Sequence, residues 1–124
     1  MPLPLRSHMA LPLRYYVPLA LALIAALIIL FTPASGVPSG FTHSDKIIHF
    51  TLFFALAYTS RIAAVSALRT VLWTTTFAIA SEILQAVLPL GRSGSLLDTA
   101  FDVAGAAVGV LVATRIVPTH SAIH

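Results

Sequence analysis

With 124 residues, 58% of them hydrophobic and only 9% charged, the chain lacks the polar surface that a soluble domain of this size turns to water, which leaves lipid as its solvent. The length allows one domain, and the absence of cysteine excludes disulfides and thiolate metal sites. The net charge of +3 comes from seven Lys and Arg set singly between apolar runs, so there is no basic patch or arm for nucleic acid.

In chain order, residues 1–14 carry Arg6 and Arg14 and read as a cytoplasmic segment. Residues 15–31 are an uncharged apolar run of about 17 residues, stopped by Pro33 and the Gly/Pro/Ser stretch 36–40. At about 1.5 Å per residue this run just crosses a hydrocarbon core. A secretory signal peptide is its competing reading, with the small residues Ala34 and Gly36 near a cleavage point, but the run exceeds the usual 7–15 residues. The second run, 47–60, is rich in Phe and Leu and ends at Arg61, whose side chain can snorkel to an interface. The third, 70–88, is closed by Pro89 and Gly91, and the fourth, 96–117, is rich in Ala, Gly and Val.

Unpaired strand edges cannot face lipid. The expectation is therefore an all-α, polytopic transmembrane bundle of about four helices at 15–117, followed by a short tail at 118–124. Arg6, Arg14, Arg61, Arg69 and Arg115 fall on one side of a four-span drawing and only Lys46 and Arg92 on the other, which puts both termini in the cytoplasm. Trp73, Tyr15 and Tyr16 read as interface aromatics, and the Phe and Leu stripe of the second helix reads as packing.

All four acidic residues lie in or beside the spans. Asp45 opens the second helix, Glu82 sits inside the third, and Asp98 and Asp102 lie in the first turns of the fourth. With Lys46, His49, Gln85 and Arg92 they converge on one layer at the extracytoplasmic side. Asp98, Asp102, Gly105 and Gly109 form one helical stripe, and its Gly-x-x-x-Gly is the small face that lets helices approach closely. Glu82 and Gln85 also share a face, continued by Ala78 and Thr75. A lone carboxylate at the depth of Glu82 or Asp102 costs about 2.5–3.5 kcal/mol on insertion scales. It must be neutral, wet, or paired with Lys46, Arg92 or His49.

The segments DKIIHF (45–50) and SEILQAVLPLGRSGSLLD (81–98), with the Asp98, Asp102, Gly105, Gly109 series, resemble the VanZ-like family of small bacterial membrane proteins. The likeness runs from about Asp45 to Gly109, and the ordered set is far more specific than any one motif. It implies a multi-span helical protein of a bacterial inner membrane, a founding member linked to low-level teicoplanin resistance, and no agreed enzymatic activity. The family often has asparagine where this chain has Asp102, which adds a titratable group to the stripe.

Each residue also has a plainer reading. Ser95 and Asp98 form a Ser-x-x-Asp helix cap, and Asp45 suits the positive end of a helix dipole. His49 alone reads as a packed, hydrogen-bonded histidine, and Lys46 and Arg92 as interfacial anchors. Glu82 with Gln85 resists such explanation.

Three function classes follow. In the first, the layer is a pocket for a cell-envelope ligand, lipid-linked or glycopeptide-related. Glu82 and His49 are its candidate catalytic groups, with Glu82 central. Asp45, Lys46, Gln85, Arg92, Asp98 and Asp102 bind, with Lys46 and Arg92 holding an anionic head group. In the second, buried ion pairs fix helix register in a non-enzymatic factor that recruits a partner. In the third, the carboxylates form a proton or ion path, ranked last because nothing acidic continues toward the cytoplasm. His49 with several carboxylates suits a hard or borderline divalent cation, but one histidine and no ligand-spacing motif leave no metal or other cofactor expected. Membrane lipid is the expected surrounding partner.

Overall fold

The computed structural model describes residues 11–32, 44–89 and 96–116, with the backbone alone for residues 44 and 45. The described chain forms four α-helices: α1 (Val17–Leu30), α2 (Ser44–Ile62), α3 (Ala67–Val87) and α4 (Leu96–Ile116), with a single 3-10 turn, Leu13–Tyr15, leading into α1. Three segments are long and apolar enough to cross a membrane: Leu13–Leu30, Ala67–Val87 and Leu96–Ile116. This is the expected all-helical bundle.

α2 departs from its expected bounds. It is 19 residues long, about 28 Å at the helical rise, and begins before residue 47 because Ser44, Asp45 and Lys46 supply its first turn. It is also the most polar of the four helices, and its position explains why. α2 packs against α1, α3 and α4, with Phe53, Leu56, Ala57 and Ser60 completely buried. A helix shielded by its neighbours needs no apolar ring facing lipid. The outer surface is left to residues such as Leu21, Ile28, Leu72, Ile83 and Leu111, all exposed, as suits lipid contact.

Helix directions follow from residue pairs. Lys46 meets Asp98, His49 meets Asp102, Phe50 meets Gly105 and Phe54 meets Gly109. Numbers rise together, so α2 and α4 run parallel. Ser60 bonds Thr70 at 2.9 Å, the Phe53 and Phe77 rings lie 5.7 Å apart and His49 faces Glu82, so α3 is antiparallel to α2. The turn between them closes tightly. Val65 N–H donates to the Ser60 carbonyl at 3.1 Å and Ala64 N–H to that of Arg61 at 3.0 Å, the two bonds of a Schellman helix end. Ala64 takes the left-handed position at φ 66°, one more often given to glycine. Arg61 Nη1 then donates to the Val65 carbonyl at 2.7 Å, and the Ser66 hydroxyl caps α3 by accepting from the Arg69 N–H at 3.2 Å.

The α2–α4 contact is close because α4 brings glycine to it. A Cβ added to Gly105 would overlap the Phe50 carbonyl oxygen, and one on Gly109 would lie 2.6 Å from the Phe54 carbonyl oxygen and 3.0 Å from Ala57 Cβ. Backbone thus rests on backbone along two turns, which places the first turns of α4 directly against those of α2.

Candidate functional site

The start of α2, the end of α3 and the start of α4 meet at one end of the bundle. His49 stands five residues into α2, Glu82 five residues before the end of α3 and Asp102 six residues into α4, so each lies about 8–9 Å below its helix end. His49 is 1% exposed, Asp102 0%, Glu82 6% and Asp98 6%. At this depth a polar side chain is retained only with partners.

The partners converge on the imidazole. His49 Nδ1 lies 2.7 Å from Asp102 Oδ1, a hydrogen-bond distance at which the ring N–H donates when the carboxylate is ionised. The same nitrogen is 3.9 Å from Glu82 Oε1, and Nε2 is 3.9 Å from Asp98 Oδ2. Lys46 Nζ sits 3.5 Å from Asp98 Oδ1, and its side chain is 26% exposed. From half-exposed Lys46 at the helix start the contacts run to Asp98, then to the buried ring, and from the ring to Asp102 and Glu82. Among the described residues His49 is the side chain facing all three carboxylates, so the geometric centre is His49 and not Glu82.

The other expected site residues are placed differently. Gln85 is buried, but its amide Nε2 donates to the Leu30 carbonyl at 2.7 Å. It satisfies an end carbonyl of α1 that has no donor within its own helix, and so docks α1 onto α3. Asp45 lies in the first turn of α2 with its side chain outside the described residues, and Arg92 and Ser95 are outside them altogether. Asp98 is in the first turn of α4, where a capping contribution and its contacts to Lys46 and His49 are compatible. Gly105 and Gly109 continue the Asp98/Asp102 stripe into the α2 contact. The inner face of α3 runs through Thr70, Thr74, Ala78, Ser81, Glu82 and Gln85, all buried, whereas Thr75 is only half-buried.

Two features escaped the sequence reading. Ser60 and Thr70 share a buried hydrogen bond at 2.9 Å, and the Trp73 indole N–H donates to the Ser60 hydroxyl at 3.0 Å. Trp73 thus does more than mark an interface: it ties α3 to α2 at the end opposite the polar layer. The signal was available, because Thr70, Thr74 and Ala78 recur every four residues as a small-residue stripe. Thr74 and Ser81 donate to Thr70 and Ala78 carbonyls of their own helix at 2.7 and 3.0 Å, so these hydroxyls are satisfied locally.

Apolar, span-length helices around a buried histidine–carboxylate layer define a polytopic helical membrane protein with a concentrated polar site. The chain matches the VanZ/LLP1 family over residues 26–117, which takes in the end of α1, all of α2 and α3, and α4, and it belongs to that family. No curated protein and no solved structure matches it.

Proposed function

We propose that the His49 layer is an extracytoplasmic-side site that binds or acts on a cell-envelope ligand, lipid-linked or glycopeptide-related, in a bacterial inner membrane. The observation that carries this reading is the buried imidazole facing three carboxylates from two other helices, with Lys46 leading outward from it. Asp102 orients the ring by accepting from Nδ1–H, which leaves Nε2 toward Asp98 and the bundle end as the nitrogen that exchanges a proton. Lys46, half-exposed, is placed to meet an anionic head group, and Arg92, six residues before Asp98 in the sequence, is the second positive charge of this reading. The family's link to teicoplanin resistance fits an envelope ligand. The main competitor is a scaffold whose ion pairs fix helix register. A proton path is disfavoured by the locally satisfied hydroxyls of α3.

Glu82→Gln and Arg92→Gln separate pocket from scaffold. Both variants should accumulate and melt like the parent while losing any shift in glycopeptide sensitivity that the parent confers on expressing cells. A structural pair behaves otherwise, since removing one partner strands a buried charge at a cost of about 3–5 kcal/mol. If both single variants disappear from the membrane and the double variant restores them, the scaffold reading wins.

The orientation has its own test. Single cysteines at 46 and 92 should react with an impermeant thiol reagent in intact cells, and cysteines at 61 and 69 should react only after lysis, because the five-to-two distribution of Arg and Lys places the latter pair inside. Labelling at 61 but not at 92 inverts the bundle.

A further inference from the structure

The geometry points to a divalent-cation site formed by His49 Nδ1, Glu82 and Asp102, one ligand from each of α2, α3 and α4. The three donor atoms lie within 4.8 Å of one another and all three residues are buried. Two carboxylates from two different helices approach the same ring nitrogen, at 2.7 Å for Asp102 and 3.9 Å for Glu82. A cation among the three serves all three at once. Ligands at about 2.0–2.2 Å from a tetrahedral ion sit about 3.4 Å apart; the 2.7 and 3.9 Å spacings from Nδ1 bracket that value.

A second observation concerns the opposite ring nitrogen. When Nδ1 binds a cation it gives up its proton, and the ring proton resides on Nε2. Asp98 Oδ2 stands 3.9 Å from Nε2 and is itself paired with Lys46. At 3.9 Å this is an ion-pair approach and not a hydrogen bond; closed to bonding distance on ion binding, a carboxylate at the distal nitrogen accepts its proton and fixes a ligating ring. One imidazole with two carboxylates favours a borderline first-row ion, Zn²⁺ or Mn²⁺, over Mg²⁺ or Ca²⁺, which prefer oxygen alone. Three protein ligands leave a further coordination position for water or a ligand atom. The inference stands on the three ligands and does not depend on the identity of an envelope ligand.

The test uses the full chain, free of affinity tag, purified in detergent, stripped with EDTA and titrated with Zn²⁺ and Mn²⁺. His120 and His124 are replaced by Gln so that the tail does not bind. The expected result is one ion bound per chain, a melting temperature raised by saturating ion, and affinity lowered at least 100-fold in Glu82→Gln and Asp102→Asn but less than tenfold in Lys46→Gln. Variants enter the comparison only if they melt like the parent in EDTA. Should neither ligand variant fold, X-ray absorption of the Zn²⁺-loaded parent decides, with one imidazole and carboxylate oxygens at about 2.0–2.2 Å expected. No ion retained by the parent, undiminished binding in both ligand variants, or a bound ion without imidazole would each overturn the assignment.

Discussion

Gly105→Leu should be the most damaging single substitution in the bundle, lowering the melting temperature in detergent sharply or preventing accumulation in the membrane. The cause is steric and local. Even a methyl at this position overlaps the Phe50 carbonyl oxygen, and a backbone atom inside a helix cannot swing aside as a side chain can. The only relief is to push α4 off α2, which breaks backbone contact along two turns and pulls Asp102 from His49. Overpacking typically costs about 1–3 kcal/mol, and Gly105→Ala should already reach that range. Gly109→Ala should cost less, since its nearest contacts are 2.6 and 3.0 Å and one is a side-chain methyl. Ala104→Leu, one residue away on the exposed face, is the control and should stay within about 0.5 kcal/mol of the parent. Equal stability of Gly105→Leu and Ala104→Leu would turn the glycine face toward lipid.

His49→Leu should have the second largest effect. Leucine keeps much of the volume but removes both ring nitrogens, so Asp102 loses its 2.7 Å donor and Glu82 and Asp98 lose the cation they face when the ring is protonated. Stranding one member of a buried charged pair costs about 3–5 kcal/mol, whereas replacing both members by apolar groups is often neutral. The double variant His49→Leu/Asp102→Leu should therefore be more stable than His49→Leu alone, and the cycle should show strong coupling. Thermal unfolding of the four proteins in one detergent measures it. Additive effects would separate the two residues energetically despite their contact.

Much of this architecture was legible in the sequence because lipid is a demanding solvent. Charged side chains inside apolar runs stand out, and the positions of Lys46, His49, Glu82, Asp98 and Asp102 already pointed to one layer. The glycine stripe of α4 was visible for the same reason. Three things were not. The length of α2 was obscured because hydropathy reports contact with lipid, and α2 is shielded by the other helices. Glu82 was placed at the centre of the layer because it lies inside an apolar span and explains no helix cap; those grounds rank the cost of burying a group but cannot say which ring or carboxylate the neighbouring helices face. Gln85 belonged by spacing to the face of Glu82, yet its amide serves Leu30, and no spacing rule reveals which of two neighbouring helices a side chain on a shared face will reach.

The central claim is that the buried histidine of this VanZ/LLP1 protein works, and does not merely hold the helices together. His49→Gln tests it most directly, because the glutamine amide can still donate to Asp102 while it neither gains nor loses a proton at neutral pH. The measurement is the teicoplanin sensitivity of cells expressing parent or variant at equal membrane abundance, alongside the melting temperature of each purified protein. Parental melting is expected, with complete loss of any sensitivity shift that the parent confers. A variant that melts like the parent and keeps the full shift would contradict the claim.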